Sequence, residues 1–312
     1  MQNLSQRKAY GEMLVKFGAE NKKVVVLEAD LGKSTMSILF QEKYPERFFE
    51  MGIAEANMAS TAAGLSLTDK IPFASTFAVF MSGRAYDQIR TSVCIPKLNV
   101  KFCGSSAGLS DFGDGSTHQS IDDIAIMRVL PNMSVFSPVD AVEMEKVMEA
   151  MLEIDGPCYV RVNRNDLPIL SNPDEKFEVG KVYPIKKDGD ITLFATGVMV
   201  SVGLEAAAKL AEEGIGLKVY NVPSIKPLQV ESLLAALEGS KAFVTAEEHN
   251  IMGGMGGAIL EALSGKCQLP SALVGVKDRF GTSAHNYQEL MDYYGLNANA
   301  IVEAVRKLSK EA

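Results

Sequence analysis

Glu55 stands where an extended-looking stretch, Phe48-Phe49-Glu50-Met51, passes through Gly52 into a run of small residues: Ala54, Ala56, Ala59, Ser60, Ala62, Ala63 and Gly64. The spacing predicts a helix over 57–67 with Glu55 in its first turn, where a carboxylate complements the helix dipole for purely structural reasons. The small residues add a second reading. They let another backbone approach closely, and a carboxylate at such a buried interface must be paired or protonated. Glu55 is therefore a candidate for proton transfer.

Two further groups could do chemistry. Phe77 and Phe80 follow Pro72-Phe73-Ala74-Ser75-Thr76. Aromatics three residues apart at a strand end can form a platform for a flat heterocycle, or simply fill a core. The segment Gly108 to Ser120 is glycine-rich and holds Asp114 and His118, one of only three histidines in the chain. A loop of this composition is costly to order and tends to be kept for a purpose. His118 could donate a proton or bind a hydroxyl near neutral pH; the bland alternative is an idle, solvent-exposed side chain.

The elements that must position these residues are readable from pattern. Strand-like runs cover 24–27, 72–80 with its turn, 99–103, 133–136 and 158–162. Helical spacing covers 57–67, 85–93 and 139–154. Strands alternating with helices at this spacing imply βα units and a mostly parallel sheet, an α/β fold. The sequence turns polar and charged between Leu170 and Asp190. That divides the chain into a first domain over 1–170, a linker over 171–189 and a second domain over 190–312. The second domain repeats the β/α alternation, with strands expected at 191–196, 216–222, 241–246 and 272–276, and helices at 200–213, 229–237 and 257–263.

At 312 residues the chain is long enough for two packed domains. Its formal net charge of -8 weighs against nucleic acid or an anionic membrane as partner, so a phosphate on any substrate has to be caught locally. Cys94, Cys103, Cys158 and Cys267 form no CxxC pair and no zinc spacing, which suits buried thiols in a reducing cytoplasm. The polar N-terminus lacks an apolar core, and no apolar run approaches the ~20 residues of a membrane span.

Taken together, GIAEANM with its Glu55, STFAVF, GDGSTHQSIDDIAIMRVLPNMSVFSPVD and YVRVNRNDLP resemble the pyrimidine-binding domain of transketolases. ATGVMVSVGLEAAAKLAEEGI and VTAEEHNIMGGMGGAILEAL resemble the domain that follows it. The resemblance runs from about Arg7 to the C-terminus in the family's order. It implies two doubly wound α/β domains, a thiamine-diphosphate pyrimidine-binding domain followed by a transketolase C-terminal-like domain.

The resemblance also implies roles. Glu55 would hydrogen-bond the far ring nitrogen of the cofactor's aminopyrimidine, a task that requires a carboxyl group shielded from water. Phe77 and Phe80 would stack on that ring, while a third aromatic usual in the family is Gly83 here, thinning the wall. Asp30 would approach the cofactor and Ser34 the substrate phosphate from one loop. Arg7 and Arg164 would grip that phosphate with their forked donors. Asp114 and His118 would contact the sugar's carbonyl and hydroxyls, and a further family histidine is replaced by Ser106.

Thiamine enzymes hold Mg²⁺ or Ca²⁺ and the diphosphate with a GDG motif followed at a distance by Asn. Gly113-Asp114-Gly115 imitates its start, but Asn132 comes too soon, so the segment reads as substrate loop and no metal ligand is expected in this chain. The resemblance then implies an N-terminal transketolase subunit as partner, supplying the diphosphate and metal, in an α2β2 assembly acting on sugar phosphates. Gly253 to Gly257 reads as a tight helix entry, since no GxGxxG is complete. Competing expectations are a deoxyxylulose-phosphate-synthase-like enzyme, a 2-oxo-acid dehydrogenase beta-type subunit, and a non-catalytic homologue that keeps only fold and interface.

Overall fold

The structure, a computed structural model, describes residues 2–311. Its first sheet has seven strands in the order Ser224–Lys226, Ser134–Phe136, Cys158–Arg161, Lys101–Ser105, Ile71–Phe77, Val24–Glu28 and Phe48–Glu50. All neighbours pair parallel except Ser224–Lys226, which runs antiparallel to Ser134–Phe136. Val24–Glu28 shows why the run is continuously apolar. Val24 and Val26 pack on one face with Tyr10, Leu14 and Phe17, while Val25 and Leu27 pack on the other with Met58 and Ala62. A parallel strand covered on both faces has no solvent side on which to place polar residues.

Helices Gln6–Glu20 and Ala141–Glu153 cover one face of this sheet, and Glu55–Ser66 and Asp123–Arg128 the other. The first two are fixed by side-chain caps: Ser5 Oγ accepts from Lys8 N at 3.3 Å, and Asp140 Oδ1 from Glu143 N at 2.8 Å. The second oxygen of Asp140 accepts from Leu170 N and Ser171 N, both at 2.7 Å, and so anchors the chain where it leaves the first sheet.

The second sheet has the order Ser271–Val276, Ala242–Asn250, Ile191–Ala195, Leu217–Asn221 and Tyr183–Lys186. The first four are parallel and Tyr183–Lys186 closes the edge antiparallel. Met199–Glu212 and Ala298–Glu311 pack on one face. Val230–Leu237 and Met255–Leu263 pack on the other, in a core continuous with that of the first sheet. The expected α/β architecture with two doubly wound, mostly parallel sheets is borne out.

Three features depart from the pattern reading. The stretch expected as strand and turn to Phe80 leaves the sheet at Phe77 and becomes the helix Ala78–Gly83. The helix expected over 85–93 is one α turn, Tyr86–Gln88, that widens into a π-helical turn at Ile89–Cys94. Within the segment expected as linker, Tyr183–Lys186 is a strand of the second sheet, and from the expected second domain Ser224–Lys226 reaches back to the first sheet. Such short strands owe their pairing to distant partners, which local periodicity does not encode.

At the seam between the halves, Arg161 forms a buried two-pronged ion pair with Asp123, each contact at 3.0 Å, and Tyr159 Oη donates to the same carboxylate at 2.8 Å. The bidentate geometry offsets part of the desolvation cost of the pair. Arg161 also donates to the Glu248 carbonyl at 3.2 Å, tying the two halves together. Among the described residues no helix is long and apolar enough to cross a membrane.

Candidate active site

The chain goes from Val24–Glu28 to Phe48–Glu50 on one side and then to Ile71–Phe77 on the other. Loops leaving Glu28 and Phe77 therefore diverge, and a crevice opens at the carboxyl ends of the strands, the usual ligand position in open α/β sheets. Glu50 pairs with Glu28 in the sheet register and Ser105 pairs with Phe77, so the same sheet edge collects the ends of four strands.

Phe77 is the last residue of its strand, and Phe80 lies one turn into the helix that follows. That geometry stacks the two rings at 5.9 Å with planes 18° apart. His118 meets both edge-on, 5.3 Å from Phe80 and 6.3 Å from Phe77, and its Nδ1 lies 3.0 Å from Thr117 Oγ1. The Arg84 guanidinium lies 4.1 Å from the Phe80 centroid. Arg84 also donates through Nη1 to Oε1 of Glu55 at 3.0 Å. Glu55 is buried at the first position of its helix, and among the described residues nothing donates to its Oε2.

The arginines form a second group. Arg164 donates to Asp111 Oδ2 at 2.8 Å and lies 5.8 Å from the Phe77 ring. Burial pushes the Asp111 carboxyl up, Arg164 opposes that shift, and Asp114 reinforces it. Arg7 donates through Nη1 to the Ser34 carbonyl at 2.9 Å, and its buried Nε has no partner among the described residues. Burial and the neighbouring Arg164 both lower the Arg7 pKa. Two mutually repelling guanidinium groups with a spare buried donor are chemically suited to pair with an anion.

Asp30 is exposed and adopts a left-handed φ of 60°. Its N–H donates to Glu50 Oε1 at 2.8 Å, and the same oxygen accepts from Gly52 N at 2.9 Å, so Asp30 joins the turn that leads to Glu55. Ser34 presents its carbonyl to Arg7, and Asp114 is exposed beside Asp111. Ser106 is buried in a left-handed conformation, φ 53°, and among the described residues its hydroxyl and the buried Thr76 and Ser105 hydroxyls have no partner. Among the described residues no three His, Cys, Asp or Glu side chains cluster as a metal site.

The second half of the chain holds the glycine-rich loop in place. Glu248 Oε1 accepts from Leu109 N at 2.7 Å, and its other oxygen from Asn163 Nδ2 at 3.3 Å. Gly108 is required here: its φ is +66°, and a Cβ would collide with the Glu248 carboxyl. Gln119 bridges the carbonyls of Asp111 and Thr282 at 3.1 and 3.0 Å, and Ala284 N donates to Phe112 O at 3.0 Å.

The structure thus gathers Phe77, His118 and Arg84 around Phe80, with Glu55 paired to Arg84, sets Arg164 beside Phe77 and Arg7 near Arg164, and leaves Asp30 and Ser34 on an adjoining loop. Pattern reading missed Arg84 and Asp111 as site residues. Arg84 follows Phe80 by four positions, yet its pairing with Glu55 spans 29 positions of sequence and leaves no local signal.

Residues 2–169 match the family described as transketolase, pyrimidine binding domain, and residues 180–301 match transketolase, C-terminal domain. A candidate transketolase C-terminal section from Methanocaldococcus jannaschii is 41% identical over 309 residues, covering 98% of this chain and 96% of that protein. A 6-deoxy-6-sulfo-D-fructose transketolase subunit from Clostridium sp. is 37% identical over 305 residues, covering 97% of this chain and 94% of that one. A solved split-gene transketolase, described as an inactive beta4 tetramer, superposes with a TM-score of 0.89 at 46% identity, covering 98% of both chains.

Proposed function

The chain belongs to the transketolase family, and from that premise we propose that it is the C-terminal subunit of a two-chain, thiamine-diphosphate-dependent transketolase that moves a two-carbon ketol unit between sugar phosphates. The observation that carries the reading is the linkage of Glu55, Phe80 and His118 at one crevice, with one Glu55 oxygen left without a donor.

The residues present fit the pyrimidine half of that cofactor. A flat ring has the stacked Phe77–Phe80 pair to lie against, and Oε2 of Glu55 is free to accept from a ring N–H. Thiamine diphosphate, when bound, supplies the carbon nucleophile and the electron sink for breaking the bond beside the ketose carbonyl. This chain's own contributions are distinct. Glu55, shielded from water, biases the proton position on the aminopyrimidine. His118 binds or protonates substrate oxygens, and Asp114 of the same loop contacts the sugar hydroxyls. Arg7 and Arg164 hold the phosphate and so orient the sugar.

Mg²⁺ and the diphosphate fall, in this reading, to a partner N-terminal subunit in an α2β2 assembly. That a related split-gene transketolase is inactive as a beta4 tetramer supports the need for a second chain. The four unpaired cysteines suit a reducing, cytoplasmic setting. One relative acts on a sulfonated sugar. A sulfonate offers the same tetrahedral oxygens to two arginines, so it belongs in the substrate panel.

The test is to co-express the chain with the product of its neighbouring reading frame and assay cofactor-dependent transfer between ketose and aldose phosphates and a sulfonated ketose, with this chain alone as control. Transfer by the pair only is the expected outcome. No binding by the neighbour and no transfer from any of these sugars would overturn the reading in favour of a non-catalytic homologue.

A further inference from the structure

Glu28 is fully buried at the end of its strand, and its partners are a backbone N–H and two hydroxyls. Oε1 accepts from Ala29 N at 3.0 Å, and Oε2 from Thr35 Oγ1 at 2.6 Å and Ser37 Oγ at 2.5 Å. These donors lie at the two ends of one loop, and left-handed residues, Asp30 at φ 60° and Met36 at φ 67°, set its bends. Within it, the short helix Gly32–Thr35 packs so that a Cβ at Gly32 would stand 3.7 Å from Glu28 Cγ. The loop is therefore folded over a single carboxyl group.

The loop's far contact gives the arrangement a consequence. Arg7 Nη1 donates to the Ser34 carbonyl, and this is the bond that orients a guanidinium whose Nε is buried and unpartnered. Among the described residues no cation pairs with Glu28, and a buried acid so placed is a costly way to close a loop, since an unpaired carboxyl loses its hydration. The cost is offset only by three aligned donors, and their alignment fixes Ser34 relative to Arg7.

We propose that Glu28 is a positioning residue for the anion-binding side of the crevice: its carboxyl pins both ends of the Asp30–Ser37 loop and through the Ser34 carbonyl sets the direction of Arg7. The inference rests on the transketolase reading for its effect on a sugar phosphate, and on geometry alone for its effect on the loop. Glu28 touches no reacting atom, so its loss acts on substrate affinity more than on the chemical step.

The test uses the complex of this chain with its partner subunit, carrying either Glu28→Gln or the pair Thr35→Val and Ser37→Ala. Both forms are expected to raise KM for a phosphorylated ketose about tenfold while kcat stays within about twofold. Amide hydrogen exchange at 29–37 is expected to accelerate about fivefold or more in both, with exchange at 55–66 unchanged. Unchanged exchange at 29–37 overturns the inference whatever the kinetics do. Faster exchange with an unchanged KM also overturns it, because the loop contact is then structural only. A wild-type complex that transfers nothing overturns the functional reading and with it the KM consequence, while the exchange data still decide whether Glu28 pins the loop. Should Glu28→Gln fail to fold, the hydroxyl pair, which keeps the carboxyl, decides on the same two readouts.

Discussion

Arg84 donates to Glu55 at 3.0 Å while its guanidinium lies 4.1 Å from the Phe80 ring, so one half-exposed cation ties the buried acid to the aromatic pair. Only one Glu55 oxygen is used. The pairing keeps the carboxylate compensated in the crevice and leaves Oε2 for a ligand donor, the arrangement that the proposed cofactor role requires.

Glu55→Gln replaces an acceptor-only carboxylate with an amide that cannot bias a ring proton in the same way. In the two-chain complex this variant is expected to lose roughly a thousandfold in kcat/KM for ketol transfer, about 4 kcal/mol of transition-state stabilisation. Steady-state kinetics with saturating cofactor check it. Turnover equal to wild type would remove Glu55 from the mechanism.

Arg164→Ala deletes the guanidinium held by Asp111 beside the Phe77 ring. A lost charge-assisted hydrogen bond is worth about 1.5–3 kcal/mol. KM for a phosphorylated ketose is therefore expected to rise roughly ten- to a hundredfold. An unphosphorylated ketose should show no comparable change. Equal losses on both substrates would mean that Arg164 supports the fold around Asp111 rather than the phosphate.

The elements around the site were readable to within a few residues where burial on both faces forces apolar β-branched runs, as in Val24–Glu28 and Ile191–Ala195. The resemblance carried by GIAEANM and STFAVF pointed to Glu55, Phe77 and Phe80, and the fold brings them to one crevice. Arg84, Asp111 and Glu28 escaped notice because their relations are tertiary. Arg164 finds Asp111 across 53 positions, and Glu28 matters only once Thr35 and Ser37 fold back over it. Tyr183–Lys186 was hidden for a related reason, since an edge strand among charged residues is specified by the neighbour it pairs with.

Gly108→Ala tests the anchor between the second half and the glycine-rich loop. The φ of +66° strains any Cβ, and that Cβ would collide with the Glu248 carboxyl. The variant should lose about 2–4 kcal/mol of stability, read from the urea midpoint. Gly113→Ala, in the same loop with open space around it, is the control and should stay within about 0.5 kcal/mol of wild type. If the two variants melt alike, Glu248 does not hold the loop as described.

Glu143 accepts from Val139 N at 2.6 Å and from Asn221 Nδ2 at 2.7 Å across the seam, and burial pushes its carboxyl up to about 7, with Asp140 adding to the shift. The unfolded chain releases that proton near the ordinary carboxyl value of 4.5. Between the two values the folded chain holds a proton that the unfolded chain has lost, so this group's contribution is fully present below about 4.5 and declines until about 7. The wild-type chain should therefore lose about 1–3 kcal/mol more stability between pH 5 and pH 8 than Glu143→Gln, whose amide does not titrate. Urea denaturation across that range is the measurement. Parallel pH profiles for the two proteins would show that Glu143 is ionised in the folded seam at every pH tested, and that its two donors outweigh its burial.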